Sequence, residues 1–91
     1  MSVPYSIVFS KLAQEKFDHF IHKNRKTGEQ IAKAIDRLAA NTRLGEPLAG
    51  QWHGYYKYRS GNYRIIYRLE HRQLIIYVIT IDHRKDVYRQ N

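Results

Sequence analysis

Residues 54–67 read G-Y-Y-K-Y-R-S-G-N-Y-R-I-I-Y, a run in which tyrosines alternate with lysine and arginine on either side of a Ser-Gly-Asn turn. Successive strand side chains point to opposite sides of a sheet. Lys57 and Arg59 therefore leave one face while Tyr56 and Tyr58 leave the other. A hairpin built from this run packs one face and keeps the other cationic, so the chain needs a sheet covered on the tyrosine side. Beyond the turn Arg64 continues the basic series, and a second basic and aromatic cluster, D-H-R-K-D-V-Y-R at 82–89, closes the sequence. The two clusters read as one site for a phosphate-rich ligand, with RNA expected first. Arginine grips phosphate through a planar fork of donors and also stacks on bases.

The charge distribution points the same way. Sixteen Lys and Arg against eight Asp and Glu give a net charge of +8 and a pI near 9.9, in the range of nucleic-acid binders. The surplus is uneven, because six of the nine arginines and seven of the eight tyrosines fall after residue 54. A solvated basic face with no ligand is the alternative. Ninety-one residues suit one domain, 1–91, with a small core. The absence of cysteine excludes disulfides, thiolate metal sites and a thiol nucleophile. No stretch approaches the ~20 apolar residues of a membrane span, and the first residues carry neither a basic leader nor a long apolar run. A cytoplasmic protein with no membrane partner is expected.

Pro4–Phe9 is rich in strand formers, and Ser10 then stands where a helix cap belongs. Ala13, Phe17, Phe20 and Ile21 give a helix over about Lys11–Lys23 one apolar face, while Lys16 falls on its outer side. Asn24–Gly28 reads as a break. A second helix over about Glu29–Asn41 repeats the stripe with Ile31, Ile35, Leu38 and Ala39. Thr42–His53 reads as a loop anchored by Leu44, Leu48 and Trp52. Tyr55–Arg59, Tyr63–Glu70 and Gln73–Ile81 form an antiparallel meander whose last, almost wholly apolar member is expected to be central and covered on both faces. Asp86–Gln90 suggests a final helical turn. The expected fold is α+β: an N-terminal strand and an antiparallel two-helix hairpin packed on a mainly antiparallel four-stranded sheet.

L-A-G at 48–50, Y-K-Y-R-S-G-N-Y-R-I-I-Y at 56–67 and V-I-T-I-D-H-R-K-D-V-Y-R at 78–89 together resemble the RelE/ParE superfamily of toxins from type II toxin–antitoxin modules, and its RelE branch in particular. The resemblance covers essentially the whole chain. It implies the RelE-like microbial RNase fold and a ribosome-dependent mRNA endonuclease, an mRNA interferase that inhibits translation. It also implies a small antitoxin encoded beside the toxin, through which the pair can bind DNA. Lys57, Arg64, Arg84 and Tyr88 match the RelE pattern, whereas Tyr55 and Ala49 stand where well-studied RelE members carry basic residues. The alternatives are a ParE-like DNA gyrase inhibitor without nuclease activity and an inert antitoxin-binding homologue.

Metal-independent RNA cleavage by the ribose 2′-hydroxyl needs a base, an electrostatic clamp on the phosphate and an acid for the leaving 5′-oxygen. Arg64 and Arg84 suit the clamp, Lys57 as a catalytic cation and Arg59 add to it from the same strand face, and all four with Lys85 and Arg89 form the RNA-binding surface. His83 and Tyr88 are the proton-transfer candidates. Tyr88 can alternatively stack a splayed base or simply pack, and His83 can be structural. His19 and His22 share a helical spacing, but nothing beside them completes a metal site. No cofactor is expected.

Overall fold

The computed structural model describes residues 3–83. Arg84, Lys85, Tyr88, Arg89 and the helical turn expected over Asp86–Gln90 lie outside the described residues.

The chain runs β1 (Ser6–Phe9), α1 (Lys11–Lys23), α2 (Arg25–Ala40), β2 (Glu46–Pro47), β3 (Tyr56–Ser60), β4 (Tyr63–Glu70) and β5 (Ile75–His83). The strands form a five-stranded sheet in the order β1-β5-β4-β3-β2. The strand missing from the four-stranded expectation is β2. It has two residues, one of them a proline, and forms because Glu46 and Pro47 meet Lys57 and Tyr56 of β3. So short a pairing leaves no alternation to read. β3, β4 and β5 are the expected meander, while β1 joins β5 in parallel.

Ser10 fixes where the first strand becomes a helix. Its oxygen accepts from the Ala13 amide at 3.0 Å, and its hydroxyl donates to the Ile79 carbonyl at 2.6 Å, so the cap of α1 is tied to β5. Asn24 separates the helices alone. Its backbone N–H closes α1 on Phe20 while its side chain accepts from the amides of Lys26 and Thr27 to start α2. The second helix thus begins four residues earlier than its apolar stripe suggests. Gly28, read as part of a break, lies inside α2, where a Cβ would run into the Ile21 side chain. Close approach of the two helices, not chain reversal, is the reason for glycine at this position. Gly28→Val should lower stability by about 1–3 kcal/mol through overpacking, read as a lower urea midpoint with an unchanged slope.

Ile31, Ala34, Ile35 and Leu38 of α2 and Ala13 and Phe20 of α1 pack with Ile65, Tyr67, Ile76, Val78 and Ile81 of the sheet. Two expectations about packing are corrected. Leu44 and Trp52 do not anchor their loop, being 41% and 48% exposed. The loop is held through its backbone instead: the Tyr67 hydroxyl donates to Thr42 O at 3.4 Å, and Leu48 N donates to Tyr55 O at 2.9 Å. Strand β5 is flanked by β1 and β4, but among the described residues the helices cover one of its faces, leaving Ile75, Tyr77 and Thr80 half-buried on the other.

Candidate nucleic-acid interface

Register determines what shares the face of the sheet turned away from the helices. Lys57 lies opposite Ile66, Arg59 opposite Arg64, and Arg64 opposite Asp82. Directly paired residues project to the same side, so Lys57, Arg59, Arg64 and Asp82 stand together, away from the helices. Tyr58, Ile65 and Tyr67 take the other side and join or border the core. The expected split between a packed tyrosine face and a cationic face holds for this hairpin.

Arg59 facing Arg64 is the unusual pair. Like charges directly opposite across two strands are destabilising, and among the described residues neither arginine makes a salt bridge. Both line an open pocket of about 440 Å³ with Lys57, Leu44, Glu46 and Tyr58. Glu46 approaches the Lys57 ammonium at 4.0 Å, a loose, exposed pair of little energetic weight. Asp82 is already engaged, accepting from Lys16 Nζ at 3.4 Å and from Thr80 Oγ1 at 3.3 Å. Lys16 is therefore not an isolated outer-face lysine. It reaches β5 beyond the point where β1 stops pairing, and it neutralises the carboxylate nearest Arg64 in register. Among the described residues, the pocket is left with a surplus of fixed positive charge and space for an anion.

Sequence reasoning missed two members of this face. Arg68 lies four residues after Arg64 on β4, and its guanidinium sits 4.3 Å from the centre of the Tyr77 ring, directly across on β5. The period of two along β4 from Arg64 through Ile66 to Arg68 was the available signal. His83 departs from expectation in the opposite sense. It pairs with Tyr63, their ring centroids 5.0 Å apart, and Tyr63 meets Phe20 of α1 at 4.9 Å. By strand alternation His83 belongs to the helix side, away from Lys57, Arg59 and Arg64. A bulge contributes to this placement: Ile66 pairs with Thr80 and Tyr67 with Val78, so Ile79 is an extra residue that shifts the alternation of β5.

Residues 7–88 match the family described as the ParE toxin of type II toxin–antitoxin systems. The chain belongs to the RelE/ParE toxin superfamily. Toxin RelG of Mycobacterium tuberculosis is 35% identical over 91 residues, covering 97% of this chain and 100% of the relative. The toxin–antitoxin complex RelBE2 of the same organism contains a chain that superposes with a TM-score of 0.76 at 28% identity, covering 90% of this toxin and 100% of that chain. The YoeB/ParE toxin of Agrobacterium tumefaciens shares the fold, with a TM-score of 0.78 at 19% identity over 86% of this chain and 96% of the other. Among the described residues no helix is long and apolar enough to cross a membrane.

Proposed function

We propose that this toxin is a metal-independent endoribonuclease that cuts mRNA on the ribosome: a ribose 2′-hydroxyl gives up its proton and attacks the adjacent phosphate, the bond to the 5′-oxygen breaks, and that oxygen leaves as a protonated 5′-hydroxyl with a cyclic phosphate left behind. The opposed Arg59 and Arg64 over an open pocket carry this reading. A local like-charge conflict is tolerated at a site built to receive the opposite charge. The scissile phosphate would lie between the two guanidiniums, which offer parallel donors to its oxygens and gain strength as charge builds in the transition state. Lys57 adds a third cation. We assign Arg84 to the same clamp, and Lys85 and Arg89 to the flanking backbone. Because His83 stands with Tyr63, the task of orienting the 2′-hydroxyl or stacking the neighbouring base falls to Tyr88.

Tyr88 can be tested through its side-chain chemistry. If stacking dominates, Tyr88→Phe should preserve most cleavage while Tyr88→Ala loses about 1–3 kcal/mol. If the hydroxyl handles the proton, the two variants should be almost equally impaired. Single-turnover cleavage on programmed ribosomes distinguishes these cases, and full activity of Tyr88→Ala would remove Tyr88 from the mechanism.

A cognate antitoxin follows from the charge and the family. An acidic, amphipathic segment laid over the +8 surface gives the complementarity that silencing requires, and the pair could then reach DNA through the antitoxin. Action on ribosomes places the toxin in the cytoplasm. The decisive experiment is expression of the chain without a partner, followed by mapping of mRNA 5′ ends. Growth arrest with new ends inside translated messages is the expected result. The family match to ParE toxins favours gyrase inhibition as the second reading, and arrest with altered DNA supercoiling but intact mRNA would select it. Normal growth with soluble toxin accumulating would exclude both.

A further inference from the structure

The cleavage scheme leaves unused an aromatic pair in the loop that leads into β3. Trp52 is 48% exposed, and its ring meets that of Tyr55 edge to face, with centroids 5.7 Å apart and planes at 81°. An edge-to-face contact occupies at most one face of each ring and leaves the opposite face uncovered by it. The pair is positioned by backbone: Tyr55 N donates to Trp52 O at 3.0 Å, Leu48 N to Tyr55 O at 2.9 Å and His53 N to Gly50 O at 3.0 Å. Gly50 and Gly54, with φ of 67° and 95°, supply the left-handed turns that bring the loop back to β3. Tyr55 is the residue just before β3 and precedes Lys57 by two, so their Cα atoms lie within roughly 7 Å along an extended chain.

Exposing a large indole forgoes the burial that normally holds aromatic residues inside. Here it meets Tyr55, which lies two residues before Lys57, so an aromatic pair adjoins a cation in the chain, and proteins hold single-stranded nucleic acid with cations along the backbone and aromatic faces for the bases. We propose that Trp52 and Tyr55 form a stacking platform for an unpaired base of the RNA strand whose phosphates lie on Lys57, Arg59 and Arg64. This assignment rests on the RNA reading above. The occupant is an unpaired base because stacking on an indole does not depend on a hydrogen-bonding edge, and because the adjacent charge suits a polyanion.

Trp52 is the single tryptophan of the chain, so its fluorescence reports on the platform directly. The intact toxin is titrated with a short labelled oligouridylate and, separately, with an oligomer of the same length made of abasic ribose-phosphate units. The oligouridylate should quench Trp52, and the abasic oligomer should bind without quenching. Trp52→Ala should weaken oligouridylate binding, read by anisotropy, roughly 5- to 150-fold, the size of one lost base–aromatic stack. It should leave abasic binding and the thermal midpoint unchanged, and Trp52→Phe should recover most of the loss. Bound oligouridylate with unquenched Trp52, or an equal loss for both oligomers, would overturn the platform and leave the RNA reading standing. No binding of either oligomer, with programmed ribosomes also uncut, would overturn both. A Trp52 that responds to an acidic amphipathic peptide and not to oligouridylate would overturn the platform in favour of protein docking.

Discussion

Arg64→Ala is expected to slow cleavage of ribosome-bound mRNA by about 100- to 1000-fold, the usual loss when one strong donor to a developing negative charge is removed. Arg64 is half-buried between Arg59 on β3 and Asp82 on β5, so its guanidinium is constrained where Arg59, exposed at the end of its strand, is less so. Removing it also relieves the like-charge opposition, so the variant should be at least as stable as the parent. The result that supports the proposal is therefore lost activity in a protein with an unchanged or higher thermal midpoint. Lys33→Ala, on the exposed side of α2, is the matched control and should be silent. Lys16→Ala is not a suitable control, since it frees Asp82 to compete for Arg64. Equal toxicity of Arg64→Ala and the parent would remove Arg64 from the mechanism.

Alkaline pH should unfold the toxin through Tyr67. Its ring is fully buried and stacked on Tyr56, with centroids 5.5 Å apart, and a Cβ on Gly45 would collide with its hydroxyl. Burial pushes the phenol up from 10.0 to about 12. Between these values the unfolded chain has lost the proton that the folded chain keeps. The unfolded state then binds fewer protons, so stability falls as pH rises. The contribution is fully present below pH ~10 and is lost as pH rises through ~12, amounting to a few kcal/mol. Tyr67→Phe should cost about 1 kcal/mol at neutral pH, for the lost bond to Thr42, and should flatten this part of the alkaline decline. Urea midpoints of the two proteins across the window isolate Tyr67 from the other tyrosines. Parallel declines would refute the assignment.

The stripes Ile31, Ile35, Leu38 and Ala39 and the alternation from Tyr56 to Arg59 were legible because burial acts at the period of each element. They position the helices, the packed face and two of the site's cations, Lys57 and Arg59. Where a single contact overrides the period, the sequence was silent. Gly28 looks like a helix breaker until Ile21 is found against it, and Glu46–Pro47 becomes a strand solely through its partners on β3. The side taken by His83 depends on register and on an extra residue at Ile79, neither of which composition displays. Trp52 looked like an anchor because most tryptophans are buried, and exposure is decided by what the rest of the loop covers.

The seam between β1 and β5 joins Ser6 to Ile75 and Phe9 to Val78 in parallel. Long-range parallel pairing is the slow step of closing a sheet, and during synthesis early segments wait for late ones. Ser10 likewise cannot donate to Ile79, nor Lys16 reach Asp82, until β5 has emerged from the exit tunnel. The charge pattern around Arg64 is therefore assembled late in the birth of the chain. The cationic face is thus complete only once β5 has docked between β1 and β4, so folding of the last strand and assembly of the site are one event.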